Sequence, residues 1–301
     1  MKWPDKVLIK EVGPRDGLQN EKTIIDSETK IQWIDALSES GLSYIEVTSF
    51  VNPKWVPQLS DALEVAKGIK RVPGVTYSAL VPNLKGLEGA VEARLDEAAV
   101  FMSASETHNL KNINKSIGDT YKSLGETAKE ALAAGLKVRG YLSTVFGCPY
   151  EGAVSIDQVL RTSGRLFEMG VYELSLGDTI GVANPKQVEH VLQRLIDEFG
   201  RERLALHFHD TRGMALANVL KALEMGFTSF DSSLGGLGGC PYAPGASGNV
   251  ATDDLVHMLE KMGIGTGIRE DKLLEAARML QEKLSVPLPS HGMAVFNAAQ
   301  K

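Results

Sequence analysis

The chain has 301 residues, is 43% hydrophobic and 23% charged, and carries a formal net charge of −6. That acidic balance argues against a nucleic-acid partner, whose phosphates need a basic surface, but not against an anionic substrate in a locally basic mouth. No apolar run is long enough to span a bilayer, and Met1-Lys2-Trp3-Pro4-Asp5 lacks an apolar signal region, so a cytoplasmic enzyme without a membrane partner is expected.

Short β-rich runs alternate with longer helical stretches along the whole chain. A first strand is expected over residues 7–12, followed by the polar, turn-forming Gly13-Pro14-Arg15-Asp16-Gly17-Leu18-Gln19-Asn20. Residues 27–40 have helical spacing, with Ile31, Ile34 and Leu37 on one face. Strands are expected next at 44–49, 75–80 and 97–102. A second clear helix covers 116–134, aligning Tyr121, Leu124, Ala128 and Leu132. Strands at 137–144, 171–176, 204–209 and 227–233 follow. Gly41, Gly135, Gly170 and Gly226 each close a helical pattern just before a strand, where a left-handed C-terminal cap favours glycine.

Eight such units imply an α/β (β/α)8 barrel, with a doubly wound open sheet as the competing architecture. The count favours the barrel, as does the lack of a glycine-rich dinucleotide fingerprint after the first strand. No linker-like tract divides the chain, so residues 1–301 are expected to form one catalytic domain. From about residue 265 it adds a helical extension, with an amphipathic pattern over 272–284 packed on the barrel.

The seventh run, Leu204-Ala205-Leu206-His207-Phe208-His209-Asp210, interrupts apolar residues with two histidines. Residues two apart on a strand share a face, so His207 and His209 project together, a geometry that suits one metal ion. Active sites of such barrels lie at the C-terminal strand ends. Those ends hold Arg15 and Asp16; Glu46, Thr48 and Ser49; Ser105, Glu106 and His108; Phe146-Gly147-Cys148; Ser175 and Asp178; and the histidine pair. A glycine-rich stretch running to Asn249 follows the last strand. A packing core would not gather so many ionisable groups, because unpaired buried charge is costly. Taken singly, Glu46 and Asp178 also read as structural partners of Arg15, and His108 as a solvated loop residue. His190, His257 and His291 read as ordinary helix or surface residues. The two cysteines, Cys148 and Cys240, are too few for a disulfide framework and suit a reducing compartment.

The segment Gly236-Leu-Gly-Gly-Cys-Pro-Tyr-Ala-Pro-Gly-Ala-Ser-Gly-Asn-Val-Ala-Thr-Asp-Asp254 resembles the signature of the 3-hydroxy-3-methylglutaryl-CoA lyases. Arg15-Asp16-Gly-Leu-Gln19-Asn20, Glu46-Val-Thr-Ser-Phe50 and His207-Phe-His209-Asp-Thr-Arg212-Gly resemble that family's other blocks, in order. The Arg-Asp, Glu and His-x-His elements are shared with a wider superfamily of metal-dependent barrels, including the isopropylmalate and homocitrate synthases. The resemblance implies a divalent cation, Mg²⁺ or Mn²⁺, held by Asp16, His207, His209 and Asn249. One carboxylate, two imidazoles and an amide oxygen suit a six-coordinate ion with open positions, whereas a closed structural zinc site would need more cysteine.

The implied reaction cleaves 3-hydroxy-3-methylglutaryl-CoA to acetyl-CoA and acetoacetate. Arg15 would stabilise the enolate of the leaving thioester and Cys240 would protonate it. The proton acceptor is left open among His207, Glu46 and Asp178, since a metal-bound imidazole is a poor base. Arg15, Gln19, Lys111 and Lys115 are the expected substrate-binding residues, the two lysines serving the phosphates of an acyl-CoA. Barrels of this kind often dimerise, and a homodimer is expected. A synthase that condenses an acyl-CoA with a 2-oxo acid would share the metal site, and so would a lyase for a related 3-hydroxyacyl-CoA. A non-catalytic scaffold barrel would have no need of the charged mouth.

Overall fold

The computed structural model describes residues 3–238 and 248–299. Cys240, expected as the proton donor, lies outside the described residues. Eight parallel strands close into a barrel in sequence order: β1 (Leu8–Glu11), β2 (Tyr44–Ser49), β3 (Thr76–Leu80), β4 (Glu97–Ser103), β5 (Lys137–Ser143), β6 (Glu173–Asp178), β7 (Leu204–Phe208) and β8 (Ser229–Ser232). Pairing of β1 with β8 sets Leu8 beside Ser229 and Glu11 beside Ser232, which completes the ring. The (β/α)8 expectation holds and the open sheet is excluded.

The helices are α1 (Ser27–Glu39), α2 (Ala62–Gly68), α3 (Leu84–Glu92), α4 (Glu106–Ile113), α5 (Ile117–Ala133), α6 (Ile156–Glu168), α7 (Pro185–Phe199), α8 (Ala215–Glu224) and α9 (Thr252–Lys261). Two more follow the barrel, α10 (Glu270–Leu284) and α11 (His291–Ala299). Starts are set by side-chain caps: Asp26, Asn83, Ser105, Ser116, Ser155 and Asn184 each accept a backbone N–H from the first turn. Gly41, Gly135, Gly170 and Gly226 all have positive φ, as capping requires. At Gly41 a side chain is also barred by space, since a Cβ would lie 2.3 Å from the Gly267 carbonyl oxygen.

Two of the sequence expectations that shift have a local cause. The sixth strand starts at Glu173 rather than Val171, because the Val171 N–H is taken by the Leu166 carbonyl in closing α6. On α5, Leu132 is 44% exposed beside Gly170, and Ala131 takes the inward position instead. The apolar core lies between sheet and helices, where outward-facing Ile9, Ile45, Leu174 and Phe230 meet buried helix residues such as Trp33, Leu37 and Leu192.

The barrel interior is charged. Lys10 and Arg139 both bond Glu173 at 2.7 Å, Arg139 bonds Asp231 at 2.7 Å, and Tyr44 and Tyr172 donate to Glu97 at 2.6 Å. Each charge meets an opposite charge or a hydroxyl, the condition under which buried ions are tolerated. This polar column supports the mouth of the barrel from below.

Candidate active site

The loop after β1 is a tight π-turn, Gly13–Gly17, in which the N–H groups of Arg15, Asp16 and Gly17 all point at the Val12 carbonyl. That turn presents two adjacent charged side chains. Arg15 is 6% exposed; its Nε donates to Glu46 Oε2 at 2.6 Å and its Nη1 to Asp16 Oδ1 at 2.5 Å. Tyr141 completes the seat: its hydroxyl donates to Glu46 Oε2 at 3.0 Å, and its ring centroid lies 5.1 Å from the Arg15 guanidinium carbon. Burial alone would lift the Asp16 carboxyl. The Arg15 guanidinium and the two imidazoles outweigh it and hold Asp16 at about 2, so it is ionised at any physiological pH. At Glu46 burial wins over Arg15, and the carboxyl lies above its ordinary value.

His207 and His209 leave β7 on one face, with Nε2 atoms 3.2 Å apart, while Leu206 and Phe208 are buried among the helices. Behind His207, its Nδ1 lies 3.3 Å from Asp231 Oδ2; Asp231 also accepts from Ser175 Oγ at 2.6 Å. Burial would raise the Asp231 carboxyl, but Arg139 outweighs it and keeps it ionised. An ionised Asp231 favours the His207 tautomer with hydrogen on Nδ1, leaving the Nε2 lone pair for the mouth. Burial and the neighbouring imidazole lower His209 to about 4, so it is neutral and able to ligate.

Asn249 joins from the chain between β8 and α9. The chain there pairs with the end of β7: Asp210 N–H donates to Gly248 O at 2.7 Å and Val250 N–H to Phe208 O at 3.0 Å. Asn249 Nδ2 donates to Asp16 Oδ2 at 2.8 Å, while its Oδ1 is buried without a partner among the described residues.

Ligand atoms of Asp16, His207 and His209 all lie within 4.8 Å of one another. Asn249 Oδ1 has no partner among the described residues, and the two imidazole Nε2 atoms face each other beside Asp16, an arrangement that one divalent cation would fit. The donor set therefore fits a resident metal, with mixed nitrogen and oxygen ligation.

Arg15, Asp16, Gln19, Lys111, Lys115, His207 and His209 line a single cavity of about 880 Å³. Lys111 Nζ lies 5.2 Å from the Tyr150 ring centroid, and Lys115 Nζ donates to Ser123 Oγ. Asp178 does not join them. Its carboxylate accepts the N–H groups of Val182 and Ala183 at 2.9 and 3.1 Å, shaping the turn after β6, and burial lifts it to about 6. Of the two acids read as partners of Arg15, only Glu46 bonds it. His108 is no solvated loop residue: it is 2% exposed, lines the cavity and bonds Ser103 Oγ through Nδ1. His190 is exposed on α7, while His257 pairs with Glu270 and His291 with Asp254, away from the mouth.

Sequence reasoning missed Tyr141, Arg139 and Asp231. Their signal was present as polar residues at alternate positions inside apolar strand runs, Arg139 and Tyr141 in β5 and Ser229 and Asp231 in β8. That alternation marks a polar barrel interior.

The sequence matches the HMGL-like family over residues 6–280. The chain belongs to that family. The HMGL-like relatives are similar along nearly the whole chain: a hydroxymethylglutaryl-CoA lyase of Bacillus subtilis is 61% identical over 299 residues, covering 99% of this chain and 100% of the relative. A crystal structure of the Bacillus subtilis HMG-CoA lyase superposes with a TM-score of 0.98 at 62% identity, covering 99% of this chain and all of that one. An HMG-CoA lyase from Acinetobacter baumannii, solved with coenzyme A and 3-methylmalate, has a TM-score of 0.92 at 43% identity, covering 97% and 95%. Among the described residues no helix is long and apolar enough to cross a membrane.

Proposed function

We propose that this HMGL-like protein is a carbon–carbon lyase that cleaves 3-hydroxy-3-methylglutaryl-CoA to acetyl-CoA and acetoacetate. The observation that carries the reading is the meeting of Arg15, Asp16, His207 and His209 in one cavity of a chain 61% identical to such a lyase over its full length. The Acinetobacter relative was solved with coenzyme A, which supports an acyl-CoA in the same cavity here.

In the reaction the C2–C3 bond of the acyl chain breaks. The tertiary hydroxyl loses its proton, C3 becomes the ketone of acetoacetate, and C2 takes the electron pair as the enolate of acetyl-CoA. Asp16, His207, His209 and Asn249 would hold Mg²⁺ or Mn²⁺, which when bound polarises the substrate hydroxyl. Arg15, fixed on one side by Glu46 and supported by Tyr141, is a preorganised cation for the thioester oxygen, where the negative charge develops. Of the three candidate proton acceptors, His207 is the one that lines the cavity, with Asp231 behind it orienting its ring; its one free lone pair, on Nε2, takes the hydroxyl proton only when the cation is held by Asp16, His209 and Asn249. Glu46 acts through Arg15, and Asp178 acts by holding the turn after β6. Cys240 donates the proton that converts the enolate carbon to a methyl group. Gln19, Lys111 and Lys115 bind the substrate, the lysines meeting the phosphates. On this reading residues 1–301 form one catalytic unit with a helical extension from about residue 265, acting as a cytoplasmic homodimer.

Protein stripped with a chelator should consume no thioester, and adding Mg²⁺ or Mn²⁺ should restore the activity in a coupled assay. Undiminished turnover in excess chelator would contradict the metal assignment. Release of free CoA from acetyl-CoA and a 2-oxo acid, without cleavage of the hydroxymethylglutaryl thioester, would favour the synthase reading instead.

A further inference from the structure

The π-turn after β1 and the chain after β8 touch backbone to backbone. A Cβ on Gly17 would lie 2.7 Å from Ser233 Oγ and 2.9 Å from Leu237 Cβ, and one on Gly238 would lie 3.2 Å from the Asp16 carbonyl oxygen. This contact sets the relation of Asp16 to Asn249. Between the two segments, at the end of β1, stands Glu11, with 0% exposure. Its Oε1 accepts the N–H of Gly13 at 2.7 Å and the N–H of Leu234 at 3.0 Å. Its Oε2 accepts the Thr252 hydroxyl at 2.6 Å. One carboxylate thus holds the start of the Arg15–Asp16 turn, the root of the glycine-rich segment and the start of α9.

The root is held from other sides as well. The next amide, Gly235 N–H, donates to Asp253 Oδ1 at 2.9 Å, and the Gly235 carbonyl accepts from Ser290 N–H at 3.1 Å. Glu11 does not line the cavity and has no part in the chemistry described above. A buried carboxylate is costly to place, and here its three donors all belong to segments that carry site residues.

We propose that Glu11 is a positioning residue that locks the Arg15–Asp16 turn to the Leu234–Gly236 turn, keeping Asp16 in register with Asn249. Its Oε1 is the shared anchor of two backbone amides, so reach and geometry matter more than charge. The part concerning turnover rests on the lyase reading; the part concerning Asp16 and Asn249 rests on the fold alone.

Glu11→Gln, Glu11→Asp and Glu11→Ala separate these roles. The amide of glutamine keeps an oxygen for both N–H groups and donates to the Thr252 hydroxyl. Aspartate keeps the charge but falls one methylene short. Burial already lifts the Glu11 carboxyl to about 7, so a neutral isostere suits the site. Mn²⁺ affinity is read by titration with Mn²⁺ alone, and kcat and KM with the hydroxymethylglutaryl thioester, on variants shown to be folded by circular dichroism.

Glu11→Gln should stay within about threefold of the parent in both readouts. Glu11→Ala should bind Mn²⁺ at least ~10-fold more weakly and lose ~100-fold in kcat with little change in KM, as outer-shell and ~1 Å misplacements do. Glu11→Asp should fall between them. A purely fold-stabilising Glu11 would lower Tm and leave the Mn²⁺ affinity and kcat of the folded variants at the parent level, which would overturn the proposal. So would Glu11→Asp matching or exceeding Glu11→Gln. If Glu11→Ala does not fold, the order of Gln over Asp decides alone. Should the parent protein not cleave the thioester, the lyase reading fails, and the Mn²⁺ affinities still decide the role of Glu11.

Discussion

Arg15→Met should lower kcat by about 10³-fold, since loss of a single preorganised donor to a developing oxyanion already costs 10²- to 10³-fold. Two features of the site push the effect upward. Arg15 is the counter-ion of fully buried Glu46, whose carboxyl burial already raises. Without the guanidinium, Glu46 is left beside Asp16 with only the Tyr141 hydroxyl to bond among the described residues. Breaking a buried pair by removing one member costs about 3–5 kcal/mol, so the variant must be assayed well below its lowered Tm. Arg15→Lys should not rescue the rate. An ammonium cannot span Glu46 and Asp16 as the guanidinium fork does, nor rest its plane against the Tyr141 ring. The check is kcat and Tm for both variants; a lysine variant within about tenfold of the parent would remove the fork from the explanation.

Cys240→Ser should cost about 10²- to 10⁴-fold in kcat, the range of a positioned general acid, while leaving Mn²⁺ affinity unchanged. A thiol with an ordinary pKa near 8.5 can hand a proton to an enolate carbon at neutral pH, whereas an aliphatic hydroxyl is far less acidic. The proposed cation ligands are Asp16 in the turn after β1, His207 and His209 at the end of β7, and Asn249, so on that proposal substitution at position 240 removes a proton and no ligand. An unchanged rate would take the proton-donor role from Cys240, and a parallel loss of metal affinity would assign the residue to the cation site instead.

The barrel was legible because its signal is repetitive: eight apolar runs, and glycines at helix ends that the structure finds with positive φ. Strand limits were less legible, since Val171 reads as strand by composition but is held by the closure of α6. The pairing of His207 with His209 followed from strand period alone, and Asp16, named through the family resemblance, lies within ligand reach of both. Asp178 was misread as a partner of Arg15 because position at a strand end does not say which way a side chain turns. The last residue of β6 faces its own turn rather than the barrel axis. Asp231 and Arg139 escaped notice for a related reason. Single charges within apolar strands are costly in isolation, and only the closed barrel shows that Lys10, Glu173, Arg139 and Asp231 neutralise one another across four strands.

The most direct test is to run the metal-loaded protein on 3-hydroxy-3-methylglutaryl-CoA in deuterated water and identify the products by mass spectrometry and proton NMR. Cleavage between C2 and C3 with proton return to carbon predicts acetoacetate and acetyl-CoA in equal amounts, the acetyl methyl carrying a single deuteron. Free CoA with intact 3-hydroxy-3-methylglutarate, and no acetoacetate, would contradict it.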